Sequence, residues 1–295
     1  MAEISQDQIE RAIKTTCATV LRNEHYFSDL DGLAGDGDFG TSLATGFRVI
    51  GNEWEQIDKS DIGAMLLKIS MLVSKHVGGS SGPIWGTGFM KAAMLTRGKT
   101  EITLEDLAAM LGSAIEGIQA RGGAKLGDKT LLDALIPVHE KLNEHAAAGG
   151  ELGPALCDAA EAADAAVDET RNLVAHRGRA SQVGERSANT PDPGIVAIAT
   201  ILQDWCKEYG VERTPVAAEL AKATVLKECA DAADAAIDET RSLRAGRGRA
   251  SQVGERSIGT PDPGIVAIAT ILQDWCKDNG IERTPNAAEL AKATA

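Results

Sequence analysis

Aromatic side chains make up only 3% of the 295 residues. Sheet cores lean on aromatic and β-branched side chains, so this scarcity argues against a β-rich fold, and the abundance of alanine favours closely packed helices. Long apolar runs are missing too. The longest stretches, such as GIVAIATIL from Gly194 to Leu202, reach about half of the ~20 residues that a bilayer span needs, and no segment is expected to cross a membrane. The five cysteines (Cys17, Cys157, Cys206, Cys229 and Cys276) form no CxxC pair. The N-terminal MAEISQDQ is polar where a signal peptide has an apolar run, so the expected compartment is a reducing cytoplasm. Basic residues are in deficit, 30 against 43 acidic, for a net charge of −13. Such a chain repels phosphate backbones and anionic lipid, which excludes nucleic acid and membrane surfaces as partners.

Apolar residues, at 43% of the chain, suffice to fill one large core or two modest ones. Their spacing is helical. In SQDQIERAIKTTCATVL, Ser5 is placed to cap a helix whose Ile9, Ile13, Cys17 and Val20 share one face. Leu43, Phe47, Ile50 and Trp54 repeat the pattern, and further helices are expected at about 61–77, 86–97, 103–120, 129–147, 154–175 and 193–208. The expectation is eight helices and no strand.

Residues 225–294 repeat residues 155–224 at a constant offset of 70, with roughly four positions in five identical. GRASQVGERS stands at 178 and again at 248, and TPDPGIVAIATILQDWCK at 190 and 260. Two copies are fewer than a solenoid requires. The expected organisation is therefore a helical domain over 1–210, a linker over 211–224 and a duplicate of the last helix-loop-helix unit over 225–295.

The stretch DGLAGDGDFG (31–40) places Asp31, Asp36 and Asp38 on a glycine-rich connection between helices. Three close carboxylates repel one another unless a cation joins them, and hard oxygen ligands suit Mg²⁺ or Ca²⁺. An EF-hand loop is excluded: counting from Asp36 its twelfth position is Phe47 rather than glutamate, and counting from Asp29 its fifth is Leu33. The bland alternative is a solvated Asp/Gly turn that caps the next helix. A second loop, GGSSGPIWG (78–86), offers hydroxyls and backbone N–H groups ahead of another helix, where anions bind. It is neither a P-loop nor a dinucleotide fingerprint. A cation-binding loop beside an anion-binding loop is what the phosphates of a nucleotide need.

LAGDGDFGTSL, GGSSGPIWG, GAKLGDKTLLDAL, GRASQVGERS and DPG, in this order, resemble the nucleotide-binding L subunit (L domain) of the dihydroxyacetone kinase family over residues 5–210. The resemblance implies an all-α closed barrel of eight antiparallel amphipathic helices, extended here by an additional C-terminal helical hairpin. It implies that Asp31, Asp36 and Asp38 bind two Mg²⁺ ions and that Phe39, Gly40, Thr41, Ser42, Ser80 and Ser81 contact the phosphates of ADP or ATP. Gly122 and Leu131 then flank the nucleoside, Arg179 pairs with phosphate, and Asp192, Pro193 and Gly194 close the pocket. It also implies a separate K subunit that holds dihydroxyacetone or a similar short ketose, and a phosphotransferase-system phosphoryl carrier as one route for recharging bound ADP.

Phe39 departs from the family's common histidine, Leu131 from its methionine, and Gln182 and Val183 from a tyrosine and leucine. Three readings follow: a kinase subunit, a nucleotide-loaded module that docks on a regulator or sugar-binding partner, and an inactive relative. Retention of three mutually repelling aspartates favours the first. The dispersed histidines (His25, His76, His139, His145, His176) read as surface or helix-end residues, and the tryptophans as core anchors. The intact apolar faces of the second hairpin point to association, as a possible homo-oligomer.

Overall fold

The computed structural model describes residues 3–243, 255, 257–278, 281, 283–285, 287 and 290. It separates into two compact units, residues 1–220 and 221–295. In the first, helices α1 (Gln6–Arg22), α2 (Glu24–Gly32), α3 (Phe39–Asn52), α4 (Ile62–His76), α5 (Ser81–Leu95), α6 (Leu104–Gly122), α7 (Leu132–Ala147), α8 (Leu152–Glu169) and α9 (Pro193–Glu208) follow in order. The long helices form a closed ring: α1 packs on α3, each helix from α3 onward packs on the next, and α9 returns to α1. The closing seam is polar as well as apolar. Thr19 Oγ1 donates to Asp204 Oδ2 at 2.6 Å, Arg22 pairs with the same carboxylate, and Trp205 Nε1 donates to Ala12 O at 3.0 Å.

Ser5 does cap α1, in a reciprocal capping box with Gln8. Elsewhere the structure differs from the sequence-based expectation. The chain bends at Asn23, whose side chain returns to Thr19 O at 2.8 Å, and restarts as the short α2. A two-stranded antiparallel ladder, β1 (Glu3–Ser5) with β2 (Glu101–Thr103), ties the chain start to the α5–α6 connection. Helix α5 begins at Ser81 rather than 86 because its glycines serve packing, not turning. A Cβ on Gly86 would stand 1.9 Å from Ser74 Oγ on α4. Helix α8 stops at Glu169, short of 175.

The core is built from buried residues such as Phe27, Leu43, Phe47, Ile69 and Ile195. It is not filled throughout: an apolar cavity of about 270 Å3 is lined by Phe89, Ile118, Leu135 and Ile201 among others. Because consecutive ring helices are antiparallel, the α2–α3, α4–α5, α6–α7 and α8–α9 connections all emerge at one end. Every sequence motif singled out above, as far as residue 210, falls there.

The second unit contains the remainder of α10 (Ala218–Arg241), α11 (Pro263–Asp278) and a small core of Ile237, Ala269, Ala287 and Leu290. Helix α10 starts inside the stretch 211–224 expected as linker, and the boundary between units also falls there. The two hairpins are fastened alike. Asp164 takes Arg213 at 2.7 Å and the Ala217 N–H at 2.9 Å; Asp234 takes Arg283 at 3.1 Å and the Ala287 N–H at 2.9 Å. They differ in what covers their apolar faces. Ile198 is 8% exposed within the ring, whereas its counterpart Ile268 is 58% exposed and Trp275 is exposed rather than a core anchor. The physical reason is that, among the described residues, the second unit has no counterpart of α1. Among the described residues, no helix is long and apolar enough to cross a membrane.

Candidate functional site

The acidic loop is folded around Asp31, in the last turn of α2. Its Oδ2 accepts the backbone N–H groups of Asp38 at 3.0 Å and Phe39 at 3.3 Å, so it caps α3 from a neighbouring helix while Asp38, at the cap position itself, makes no side-chain cap. A Cβ on Gly35 would lie 2.2 Å from Asp31 Oδ1, and Gly37 takes φ 75°, so the glycines let the loop turn back on the carboxylate. Carboxylate oxygens of Asp31, Asp36 and Asp38 consequently lie within 4.8 Å of one another. Burial raises the Asp31 carboxyl above its ordinary value, and the charge of Asp36 adds to this against the Phe39 and Asp38 amides. Three oxygens gathered at this spacing, one held unfavourably as an anion, fit a hard divalent cation. Arg179 brings a cation to the same cluster, its Nε 3.1 Å from Asp36 Oδ2.

The expected phosphate-binding residues line up beside this loop. Gly40, Thr41 and Ser42 form the first turn of α3, and Ser80 stands at the cap position of α5 without its hydroxyl capping the helix, with Ser81 as the first helical residue. The two turns touch: a Cβ on Gly78 would stand 2.8 Å from Ser42 Oγ. Some amides are already committed, since the Phe39 N–H serves Asp31 and the Thr41 N–H donates to Ser28 Oγ at 3.2 Å. The Phe39 ring turns inward and meets Phe27 edge-on at 6.4 Å between centroids.

Gly122 ends α6 against Ile84 of α5, and Leu131 precedes α7 with its backbone N and Cβ about 3.4 Å from where a Cβ on Gly194 would lie. Asp192 caps α9 by accepting the Ile195 N–H at 2.9 Å, with Pro193 in the first turn where its missing N–H costs nothing. Burial pushes the Asp192 carboxyl up to about 7, aided by the charge of Asp133 and opposed by the Ile195 and Gly194 amides and by Lys129. The geometry thus gathers all the sequence-derived candidates of the first unit at one end. Of the second copy, Asp262 immediately precedes α11 and accepts the Ile265 N–H at 3.1 Å, and Arg249 lies outside the described residues.

Sequence reasoning missed three residues in GDKTLLDAL. Lys129 is 2% exposed, in the left-handed region at φ 60°, and its ammonium donates to the carbonyls of Arg171, Leu173 and Ser187 at 2.9, 2.9 and 2.6 Å. Asp133 accepts the Gly127 and Thr130 N–H groups at 2.6 and 2.8 Å, and the carbonyl of Asp128 accepts the His176 N–H at 3.0 Å. Burial would raise the Asp128 carboxyl, but the Lys125 N–H and the charges of Arg177, Lys125 and His176 hold it below its ordinary value. The available signal was a lysine between a glycine-aspartate pair and an apolar helix.

The DAK2 domain family model matches residues 33–207 and 212–277. The chain is 35% identical over 190 residues to the PEP-dependent dihydroxyacetone kinase ADP-binding subunit DhaL of Escherichia coli (strain K12), covering 64% of this chain and 90% of that protein. It is 36% identical over 181 residues to the corresponding subunit of dihydroxyacetone kinase 2 of Listeria innocua, covering 60% and 82%. Among solved structures it is similar to the dihydroxyacetone kinase of C. freundii in complex with AMP-PNP and Mg²⁺, with TM-score 0.52 and 26% identity over 67% of this chain and 33% of that one. The chain thus spans about a third of the solved protein it matches. With fold, motif order and sequence in agreement, the chain belongs to the DAK2 domain family.

Proposed function

We propose that this chain is the nucleotide- and Mg²⁺-binding subunit of a dihydroxyacetone-type kinase, working in the cytoplasm with a separate K subunit that holds the short ketose. The observation that carries the reading is the convergence of Asp31, Asp36 and Asp38 beside the first turns of α3 and α5, with Arg179 reaching the same point. The relatives named as ADP-binding subunits of PEP-dependent kinases support ADP as the resident nucleotide, recharged by a phosphoryl carrier.

Asp31, Asp36 and Asp38 would hold two Mg²⁺ ions, which neutralise and orient phosphate oxygens when bound. The protein's own part is positioning. Gly40, Thr41 and Ser42 at the start of α3, and Ser80 and Ser81 at the start of α5, present the positive ends of two helix dipoles and their hydroxyls to the phosphates. Arg179 supplies a side-chain cation that moves from Asp36 to phosphate, Gly122 and Leu131 flank the nucleoside, and Asp192, Pro193 and Gly194 close the pocket against Leu131. Phe39 contributes through its backbone, since its ring packs on Phe27. The hydroxyketone itself is left to the K subunit.

The test is to identify the nucleotide that co-purifies with the full chain and to follow its turnover with a K subunit and a phosphorylated carrier protein. Bound ADP that gains and passes on phosphate supports the reading. A chain that purifies empty and takes up no ADP with Mg²⁺ overturns it.

A further inference from the structure

The segment between α8 and α9 carries Arg179 on a stretch with little regular structure. It is a 3-10 run, Arg179–Ser187, broken by Gly184 at φ 56°. Arg179 itself is exposed, and an isolated ion pair to Asp36 at the surface holds a loop weakly. What fixes the base of this segment is buried. The Lys129 ammonium has three donors, and three backbone carbonyls take them: Arg171 and Leu173 where the chain leaves α8, and Ser187 where it approaches α9. One side chain therefore grips both ends of a loop whose tip bears Arg179.

The same joint is sewn at other points. Ala175 N–H donates to Ser187 Oγ at 2.9 Å, His176 N–H to Asp128 O at 3.0 Å, and Arg177 Nη2 to Gly123 O at 2.7 Å. Lys129 adopts a left-handed backbone, which strains a residue that carries a side chain. Its fully buried ammonium also gives up its water. Both costs are met at one residue, next but one to Leu131 and at the foot of the Arg179 loop.

We infer that Lys129 is a positioning residue for nucleotide binding: it clamps the α8–α9 loop so that Arg179 faces the phosphate site, and it touches neither nucleotide nor metal. This rests on the nucleotide reading proposed above. Removing the ammonium leaves three carbonyls facing a buried methylene chain, and the loop must open to let water reach them.

The experiment is a double-mutant cycle on the full chain, reading MgADP affinity by calorimetry for wild type, Lys129→Met, Arg179→Ala and the double variant, with tryptic cleavage at Arg177, Arg179 and Arg186 as a second readout. Lys129→Met is expected to weaken MgADP binding at least about tenfold, to speed cleavage at these arginines, and to keep the helical circular-dichroism spectrum. In the Arg179→Ala background it is expected to add less than about twofold, because the clamp then holds nothing that binds. A purely structural lysine would weaken binding equally in both backgrounds, and that result overturns the inference, as does wild-type affinity in Lys129→Met. Lys129→Gln, which keeps two donors, is the second variant; if neither folds, the lysine is a folding residue and the inference fails. A wild-type chain that binds no MgADP overturns the nucleotide reading instead, and the two failures are told apart by that control.

Discussion

Gly40 offers a sharp test of how α3 positions the turn proposed to bind phosphate. It sits in the first turn of α3 at the point where that helix crosses α2, and a Cβ there would stand 1.9 Å from Glu24 O, 2.7 Å from Ser28 N and 2.8 Å from Ser28 Oγ. Two of the three obstacles are backbone atoms, so no rotamer change relieves the contact. Restoring an ordinary carbon–oxygen distance moves the start of α3 by roughly 1.5 Å. That displaces Thr41 and Ser42 from Gly78, and the Asp38 and Phe39 amides from Asp31. Gly40→Ala is therefore expected to cost about 1–3 kcal/mol of stability through overpacking, offset by less than about 1 kcal/mol from the gain in helix propensity. The melting temperature should fall by several degrees. Affinity for MgADP should fall at least about tenfold, the cost of losing one hydrogen bond to a charged phosphate. Gly51→Ala in the last turn of the same helix is the control: a Cβ there meets nothing within 4 Å, and the variant should bind as wild type. Calorimetry and thermal unfolding on both variants decide the matter. Gly40→Ala with wild-type affinity would show that the α3 start does not set the phosphate site.

Other consequences are equally open to measurement. Because the Asp192 carboxyl is raised to about 7 in the folded state, its contribution to stability is fully present below about pH 4 and is lost as pH rises toward 7, on the order of a few kcal/mol at most. Asp192→Asn keeps a capping side chain and should flatten that part of the pH–stability curve. Arg213→Met leaves the buried Asp164 carboxylate with the Val216 and Ala217 N–H groups but no counter-charge and should destabilise the first unit by about 3 kcal/mol in chemical denaturation. Truncation after Thr224 should leave a folded chain that binds nucleotide but associates less in analytical ultracentrifugation, because the exposed Ile268 and Ile271 go with the second hairpin.

What the sequence disclosed, and what it hid, follows from the range of the interactions involved. The helices were legible because their apolar faces recur at helical spacing, and the Ser5 cap because a capping box is local. The start of α5 was not. Gly82 and Gly86 look like loop residues until α4 lies against them at a distance only glycine permits, and a single sequence does not show which helix will be its neighbour. The β1–β2 ladder joins residues about a hundred positions apart, too short in each strand to leave a pattern. Asp31, Asp36 and Asp38 were legible as a cluster by spacing alone. Lys129 was hidden because its partners are main-chain carbonyls more than forty residues away, and carbonyls have no sequence signature. Trp275 was misjudged for a related reason: its copy at Trp205 is covered by α1, and a repeat carries its own apolar face without the surface that covers it.

If the three aspartates bind nucleotide through Mg²⁺, ADP affinity depends on both the metal and the carboxylates. The most direct measurement is calorimetric titration of ADP into the full chain with and without Mg²⁺, repeated for Asp36→Ala and Asp38→Ala. These aspartates are the exposed members of the cluster, and helix α3 does not depend on their side chains for its cap. Binding is expected to be Mg²⁺-dependent in the wild type and lost in both variants, with an unchanged helical spectrum throughout. Equal ADP affinity in wild type and both variants, or binding indifferent to Mg²⁺, would contradict it and leave the acidic loop as a turn that caps a helix.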